Sequence, residues 1–186
     1  VVKSAEFFNY FAAEAIRMKG AFMDSPRDNV DIEVIHEPIG VIGVITPWNY
    51  PLAIPAWKIA PALAYGNSVI LKPSSNTPAI AYILAKIIDS TKLPKGVFSL
   101  TFGQGGVIGD TLAQSKKVQG ITFTGSVAVG KELAKKSIDS MTKLQLEMGS
   151  KNSLIILDDA DINTAVEASI KGAYNANGQK CTSCSK

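Results

Sequence analysis

Apolar segments of strand length alternate with helical patterns along this chain, and the alternation limits the folds that it can adopt. Continuous apolar runs lie at residues 39–46, 68–72, 97–101 and 118–123, and a helical segment follows each of them. Strands that are apolar on both faces are typical of a parallel sheet covered by helices on both sides. The sequence therefore predicts an α/β fold built on a doubly wound parallel sheet.

The remaining elements follow from periodicity and from helix-start signals. Thr77 and Ser126 are expected to cap helices, and Pro78 suits a first helical position. Asp161 is expected to open the last helix. The predicted helices run over residues 4–19, 55–65, 77–91, from near Gly106, 126–137 and 161–175, and further strands are predicted at 31–36 (exposed), 144–147 and 154–157.

Charge and hydropathy exclude several classes of protein. The formal net charge is +3 over 186 residues, and the scattered lysines indicate solvated helix faces and not a nucleic-acid surface. Apolar runs are too short to cross a membrane. Two cysteines form no disulfide framework and fit a reducing compartment. We therefore expect a cytoplasmic protein with neither nucleic-acid nor membrane partners.

Unusual turns follow the strands at the edge where an α/β sheet binds ligands. The first is Thr46–Pro51, in which Pro47 and Pro51 bracket Asn49. The prolines restrict the backbone around Asn49, so its side-chain amide can be directed at one point as an oxyanion donor. The alternative is an asparagine that only serves a rigid turn.

Three further turns favour a nucleotide site. Lys72–Ser75 can bind ribose hydroxyls or phosphate, although a solvated loop is the alternative. Gly103–Gly109 departs from a dinucleotide fingerprint because its last glycine comes one place late. Thr124–Ser126 opens a helix, and helix N-termini attract phosphate. The alternative is a helix cap that binds no ligand, which would have the same residues. Together these turns predict a bound nucleotide.

Cys181 and Glu147 are the candidate reactive side chains. A thiol nucleophile with a carboxylate base suggests covalent catalysis, because the single histidine, His36, lies far upstream. A buried, inert Cys181 is the alternative. Cys184 completes a C-x-x-C pair, but with no second pair we expect no metal site and treat Cys184 as incidental.

Five motifs occur in the order and spacing of the aldehyde dehydrogenase superfamily, which the chain resembles from near Phe7 to its end. They are Pro47–Pro51, Lys72–Ser74, Phe123–Ser126, Leu146–Gly149 and Gly178–Cys181. The run Ala56–Asn67 is most similar to semialdehyde-oxidising members such as α-ketoglutaric semialdehyde dehydrogenases. The resemblance implies a Rossmann-like dinucleotide domain over residues 1–147, with 27–38 in an oligomerisation arm, and the start of a second α/β catalytic domain over 148–186.

The resemblance also implies roles for the matched residues. Cys181 would attack the aldehyde, Asn49 would hold the oxyanion with the Cys181 N–H, and Glu147 would activate water against the thioester. Lys58 resembles a lysine in a proton path behind that glutamate, while Tyr50 and Trp57 would line the aldehyde tunnel. NAD or NADP would contact Thr46, Pro47, Trp48, Lys72, Ser74, Ser75, Gly105, Gly109, Phe123, Gly125, Ser126 and Val129.

The sequence departs from the family pattern at two positions. Ser150 replaces a glycine, which would crowd the turn near Glu147, and Ser75 stands where NAD-preferring members carry glutamate. Since family enzymes continue well beyond this length, we expect a fragment of a homodimer or homotetramer acting on an aldehyde. The alternatives are a relative that transfers the acyl group to phosphate or CoA, and an inactive nucleotide-binding fragment.

Overall fold

A computed structural model describes residues 1–149 and 151–185. The departure at Ser150 lies outside the described residues. Within these ranges no helix has the length and apolar character needed to cross a membrane. The helices are α1 (Val2–Arg17), α2 (Ala53–Ala64), α3 (Pro78–Ser90), α4 (Gly105–Gln114), α5 (Val127–Lys136) and α6 (Ile162–Tyr174), followed by a 3₁₀ helix (Asn175–Gly178). The strands are β1 (Ala21–Asp24), β2 (Asp31–Val34), β3 (Val41–Ile45), β4 (Ser68–Lys72), β5 (Phe98–Leu100), β6 (Gly120–Gly125) and β7 (Lys143–Met148).

Five strands form one parallel sheet in the order β5-β4-β3-β6-β7. The chain moves outward from β3 to β5 on one side and then returns to build β6 and β7 on the other. In the register, Val44 of β3 lies opposite Leu71 of β4 and Thr122 of β6. The prediction of a doubly wound α/β fold is confirmed. The reversal of direction makes the boundary between β3 and β6 a topological switch point, where such sheets bind ligands.

Two apolar clusters, one on each face of this sheet, form the core. Ile42 and Val44 of β3 pack with residues of α2 and α3, whereas Val41 and Ile45 pack on the side of α4 and α5. Side chains alternate between the faces of a strand, so a strand covered on both sides must be apolar throughout. Each buried aliphatic side chain contributes about 1.5–3 kcal/mol.

An exposed antiparallel ribbon stands apart from the main sheet. Its second strand, β2, matches the predicted exposed strand, and it pairs with β1, a strand that was not predicted. All residues of both strands are exposed. The four residues of β1 are too few to show an alternating pattern, and their extended conformation depends on pairing with β2.

The segment from residue 151 onward departs from the predictions at one element. Residues 154–157 form no strand, so that prediction was wrong, and Ile155 and Leu157 are exposed. A strand needs a neighbour for its backbone hydrogen bonds, and in the described ranges only an isolated bridge between Asn152 and Cys184 forms nearby. The predicted start of α6 is confirmed, since the Asp161 side chain accepts a hydrogen bond from the Thr164 N–H at 2.8 Å.

Candidate functional site

A cavity of about 700 Å³ opens at the carboxyl ends of the strands beside the switch point. Its size falls within the roughly 300–1,000 Å³ typical of small-molecule and cofactor sites. Eleven of the twelve residues predicted to contact a cofactor line it, and Ser75 is the exception. They are Thr46, Pro47, Trp48, Lys72, Ser74, Gly105, Gly109, Phe123, Gly125, Ser126 and Val129.

Ser75 lies outside the cavity because β4 ends at Lys72 and the chain then turns toward solvent. Ser74 lines the cavity, while its hydroxyl accepts a hydrogen bond from the Asn76 N–H at 3.2 Å and stabilises the turn. Ser75 is exposed within that turn. The structure therefore brings position 75 to the rim of the cavity and not into its wall.

Two helix N-termini and one lysine give the cavity its electrostatic character. The backbone N–H groups at the start of α4 and α5 are available to an anion, and Ser126 caps α5 by accepting from the Val129 N–H at 3.3 Å. Lys72 is only 7% exposed, and burial lowers the pKa of its ammonium group. Among the described residues no carboxylate forms an ion pair with Lys72.

Two glycines contribute backbone to this wall of the cavity. A Cβ on Gly105 would lie 3.7 Å from the Lys72 Nζ, and a Cβ on Gly125 would overlap the Phe123 ring. Below them an ion pair between Lys136 and Asp110, at 2.6 Å, joins α5 to α4. Open backbone, two helix N-termini and a lysine without a carboxylate partner suit the phosphates of a dinucleotide.

Asn49 links the turn after β3 to the segment that carries Cys181. Its Nδ2 donates a hydrogen bond to the Gln179 carbonyl at 2.9 Å, and its Oδ1 is buried without a partner in the described part of the chain. Asn152 then holds the cysteine segment, since its Nδ2 donates to the Cys181 carbonyl at 2.6 Å and to the Ser183 carbonyl at 3.1 Å. Cys181 itself is exposed.

A chain of hydrogen bonds runs from Lys58 to Glu147. The Lys58 Nζ donates to Thr122 Oγ1 at 2.6 Å and to Gln145 Oε1 at 3.0 Å, and Gln145 Nε2 donates to Glu147 Oε1 at 3.0 Å. Lys58 is 5% exposed, and burial lowers its pKa to about 8, against the opposing attraction of Glu147. Asn152, Thr122 and Gln145 were not among the predicted site residues.

The strand period would have indicated Gln145. Gln145 precedes Glu147 by two positions on β7, so the two side chains lie on the same face of the strand. Thr122 lies directly opposite Gln145 in the register of β6 and β7, but this pairing depends on the sheet order. Only the tertiary structure could have placed Thr122 beside Lys58.

Some predicted residues are not brought together. Within the described ranges no hydrogen bond joins Cys181 to Glu147, and both side chains are exposed. Trp57 packs edge-on against Phe7, with ring centroids 5.8 Å apart, and lines a separate groove of about 430 Å³ that also contains Lys58 and Gln145. Tyr50 is 37% exposed in the turn after β3.

The sequence and the fold of this chain are similar to those of known proteins. The sequence model of the aldehyde dehydrogenase family matches residues 1–186. The alpha-ketoglutaric semialdehyde dehydrogenase of Bacillus subtilis is 44% identical over 177 residues, which cover 95% of this chain and 36% of that relative. The succinate-semialdehyde dehydrogenase structure from Burkholderia pseudomallei has a TM-score of 0.95 at 40% identity and covers 98% of this chain and 38% of its own.

A second solved structure is similar to the same extent. The betaine aldehyde dehydrogenase of Staphylococcus aureus, in complex with NAD+, has a TM-score of 0.93 at 40% identity and covers 95% of this chain and 35% of its own. This chain thus spans between 35% and 38% of the length of these three relatives. Because the family match extends over all its residues, the chain belongs to the aldehyde dehydrogenase family.

Proposed function

We propose that this chain supplies the cofactor-binding unit and the nucleophile of an enzyme that oxidises an aldehyde to a carboxylate with NAD or NADP. Residues 1–147 would form the dinucleotide domain, and 148–186 would begin the catalytic domain. One observation carries the proposal. The 2.9 Å hydrogen bond from Asn49 to the Gln179 carbonyl holds the segment of Cys181 against the turn beside the cavity.

The cavity supports the cofactor assignment. Lys72 and the N-termini of α4 and α5 offer positive potential to phosphates, and the glycines at 105 and 125 allow a close approach of the ligand to backbone. The relative from Staphylococcus aureus was solved with NAD+. When bound, NAD or NADP would supply an acceptor for the hydride that leaves the substrate carbon.

Cys181 and Asn49 would perform the first half of the reaction. The Cys181 thiolate would attack the aldehyde carbon, forming a C–S bond while the carbonyl oxygen becomes an oxyanion. The Asn49 amide has two N–H donors, of which one is used by Gln179. The second N–H and the Cys181 backbone N–H would stabilise the oxyanion. Loss of hydride from this adduct leaves a thioester on Cys181.

Glu147 would perform the second half. Its carboxylate would remove a proton from water, and the hydroxide so formed would attack the thioester carbon. Breaking the C–S bond then releases the carboxylate product and returns the Cys181 thiolate. Lys58, a buried ammonium group attracted by the Glu147 carboxylate, would lie on the path by which that proton departs. A relative that passes its acyl group to phosphate or CoA needs no such base, which disfavours this alternative.

The proposed substrate is a semialdehyde. The support is the named activity of two relatives, the alpha-ketoglutaric semialdehyde dehydrogenase of Bacillus subtilis and the succinate-semialdehyde dehydrogenase of Burkholderia pseudomallei. The proposed assembly is a homodimer or homotetramer. The exposed ribbon of β1 and β2 supports this, because unpaired strand edges are available to a second copy.

The experiment compares two cysteine variants of the purified enzyme on a panel of semialdehydes and simple aldehydes. Cys181→Ala should abolish NAD(P)H formation and leave cofactor binding by calorimetry nearly unchanged, because the thiol contacts the substrate only. Cys184→Ala is the matched control and should retain turnover, since Cys184 lies against the Ser169 carbonyl away from the cavity. Full activity of Cys181→Ala, or no turnover of any aldehyde by the wild type, would refute the proposal.

A further inference from the structure

We propose that Gln145 is a positioning residue that holds the Glu147 carboxylate in the orientation required for thioester hydrolysis. This inference rests on the proposed function, because it concerns the second half of that reaction. Gln145 would touch neither substrate nor cofactor. It would act only through Glu147.

Both the oxygen and the nitrogen of the Gln145 amide form hydrogen bonds, although the side chain is exposed. Its Oε1 accepts from the Lys58 Nζ at 3.0 Å and also from the Thr122 hydroxyl. Its Nε2 donates to Glu147 Oε1 at 3.0 Å. One amide therefore joins a nearly buried ammonium group to the carboxylate that faces solvent.

The partners of the amide determine which way it points. Lys58 has only donors to offer, so the oxygen of Gln145 must face it. The NH₂ group is then directed at Glu147, and the reverse orientation would place N–H groups against an ammonium. The Glu147 carboxylate therefore accepts its hydrogen bond from an N–H group whose position is fixed, because the Gln145 amide cannot rotate freely.

The sheet gives this arrangement its rigidity. Gln145 and Glu147 project from the same face of β7, and β7 is paired with β6 so that Thr122 lies opposite Gln145 and Thr124 lies opposite Glu147. Lys58 is anchored in α2 on the covered face of the sheet. Without Gln145, the exposed Glu147 side chain would be free to rotate among its rotamers, and many of these direct the carboxylate away from a water molecule at the thioester.

Orientation is the role that this amide can perform. To carry a proton from Glu147 to Lys58 it would have to give up a strongly held N–H proton, whereas donating one hydrogen bond needs no such step. A positioning role affects the base-dependent step alone. Acylation of Cys181 and hydride departure use other side chains, so they should not depend on Gln145.

The discriminating variant is Gln145→Met, which keeps the length of the side chain and removes its three hydrogen bonds. Lys58 and Thr122 keep their mutual hydrogen bond of 2.6 Å in this variant, so the fold should persist and can be verified by circular dichroism and thermal unfolding. Lys143→Met is the matched control, because Lys143 is exposed on the same face of β7 and makes no hydrogen bond to Glu147 in the described part of the chain.

Rapid-quench kinetics should show an unchanged pre-steady-state burst of NAD(P)H in Gln145→Met and a steady-state rate lowered by about 10-fold to 100-fold, as for other lost orienting contacts. Hydroxylamine attacks thioesters without a general base. Its addition should therefore restore much of the variant's turnover, a response that simple misfolding would not give. Lys143→Met should behave as the wild type with and without hydroxylamine.

Three results would overturn the inference. They are a wild-type steady-state rate in Gln145→Met, a burst slowed as much as the steady state, and an equal loss in Lys143→Met. Failure of the proposed function is distinguishable from these results. In that case the wild type itself would form no NAD(P)H with any aldehyde.

Discussion

Among single residues, Lys58 shows the strongest conflict between charge and burial. Its side chain is 5% exposed, and burial lowers its pKa from 10.5 to about 8, with Glu147 acting in the opposite direction. Thr122 and Gln145 accept its hydrogen bonds, but neither carries a negative charge. The protonated form of Lys58 therefore destabilises the folded state relative to the unfolded chain.

This conflict predicts a stability that rises with pH. Between the folded pKa of about 8 and the unfolded value of 10.5, the unfolded state binds more protons, so the free energy of unfolding increases as pH rises through this window. The contribution of Lys58 is on the order of 3 kcal/mol. Urea unfolding of the wild type and of Lys58→Met across the window should show the rise reduced in the variant. The exposed Lys143→Met should retain it, and an equal rise in Lys58→Met would contradict the prediction.

Glu147 and Asn49 should affect different halves of the reaction. Glu147→Gln removes the proposed base, which typically costs about 10²–10⁴-fold, so we expect a normal NAD(P)H burst followed by slow turnover. Asn49→Ala removes an oxyanion donor and should slow the burst itself by about 10²–10³-fold. Single-turnover hydride transfer measured in both variants separates them. An abolished burst in Glu147→Gln would contradict the role of Glu147 as the base, and an unchanged burst in Asn49→Ala would contradict the role of Asn49 as an oxyanion donor.

At the scale of elements, the helix starts show which N-cap side chains form a capping hydrogen bond. Ser126 and Asp161 each accept a backbone hydrogen bond in the first turn of α5 and α6, as their sequence context predicts. Thr77 occupies the same position before α3, but its hydroxyl makes no capping bond. It is buried without a partner among the described residues. The predicted N-cap position of Thr77 is confirmed, but its side chain contributes no capping bond, and Pro78 in the first turn is the other local signal at this helix start.

This contrast gives a paired stability test. Ser126→Ala should lower the free energy of unfolding by about 1 kcal/mol, because the Val129 N–H loses its side-chain acceptor. Thr77→Ala should cost much less, since no capping bond is lost. Denaturant unfolding of both variants measures the difference. Equal losses of unfolding free energy in the two variants would show that the capping bond at Ser126 does not stabilise the fold. Ser126→Ala should also weaken cofactor binding, because this helix start lines the cavity.

At the scale of the whole molecule, the topology decides which turns meet. The switch point between β3 and β6 gathers residues from four separate turns around one cavity. It also leaves Ser75 at the rim, next to Ser74, which lines the wall. A side chain at position 75 can thus reach a bound ligand only from the edge. We expect the adenosine ribose at this edge, because the turn Lys72–Ser75 suits ribose hydroxyls.

Cofactor choice is the prediction that belongs to this scale. Ser75 places no carboxylate near a 2′-phosphate, and Lys72 offers a point charge within the cavity, so NADP should be used at least as well as NAD. Ser75→Glu should lower kcat/KM for NADP far more than for NAD by like-charge repulsion. Asn76→Asp places the same charge at the next exposed position of the turn and is the control. Equal losses for both cofactors, or a strong wild-type preference for NAD, would contradict the prediction.

Local sequence patterns determined much of the secondary structure of this protein. The buried strands and the helices next to them follow from periodicity, because a strand covered on both faces must be apolar and a helix needs one apolar side. The caps at Ser126 and Asp161 follow from hydrogen bonds that span three residues. The turns after the strands also indicated the cavity, since parallel strands place their carboxyl ends at one edge.

Only the tertiary structure decided the contacts that join distant segments. Residues 154–157 have the composition of a strand but no neighbour to pair with, and β1 has little pattern but pairs with β2. The link from Lys58 through Gln145 to Glu147 depends on the side-by-side pairing of β6 and β7 and on the packing of α2 against the sheet. Hydrogen-bond partners across a sheet depend on strand order, and the local sequence does not indicate strand order.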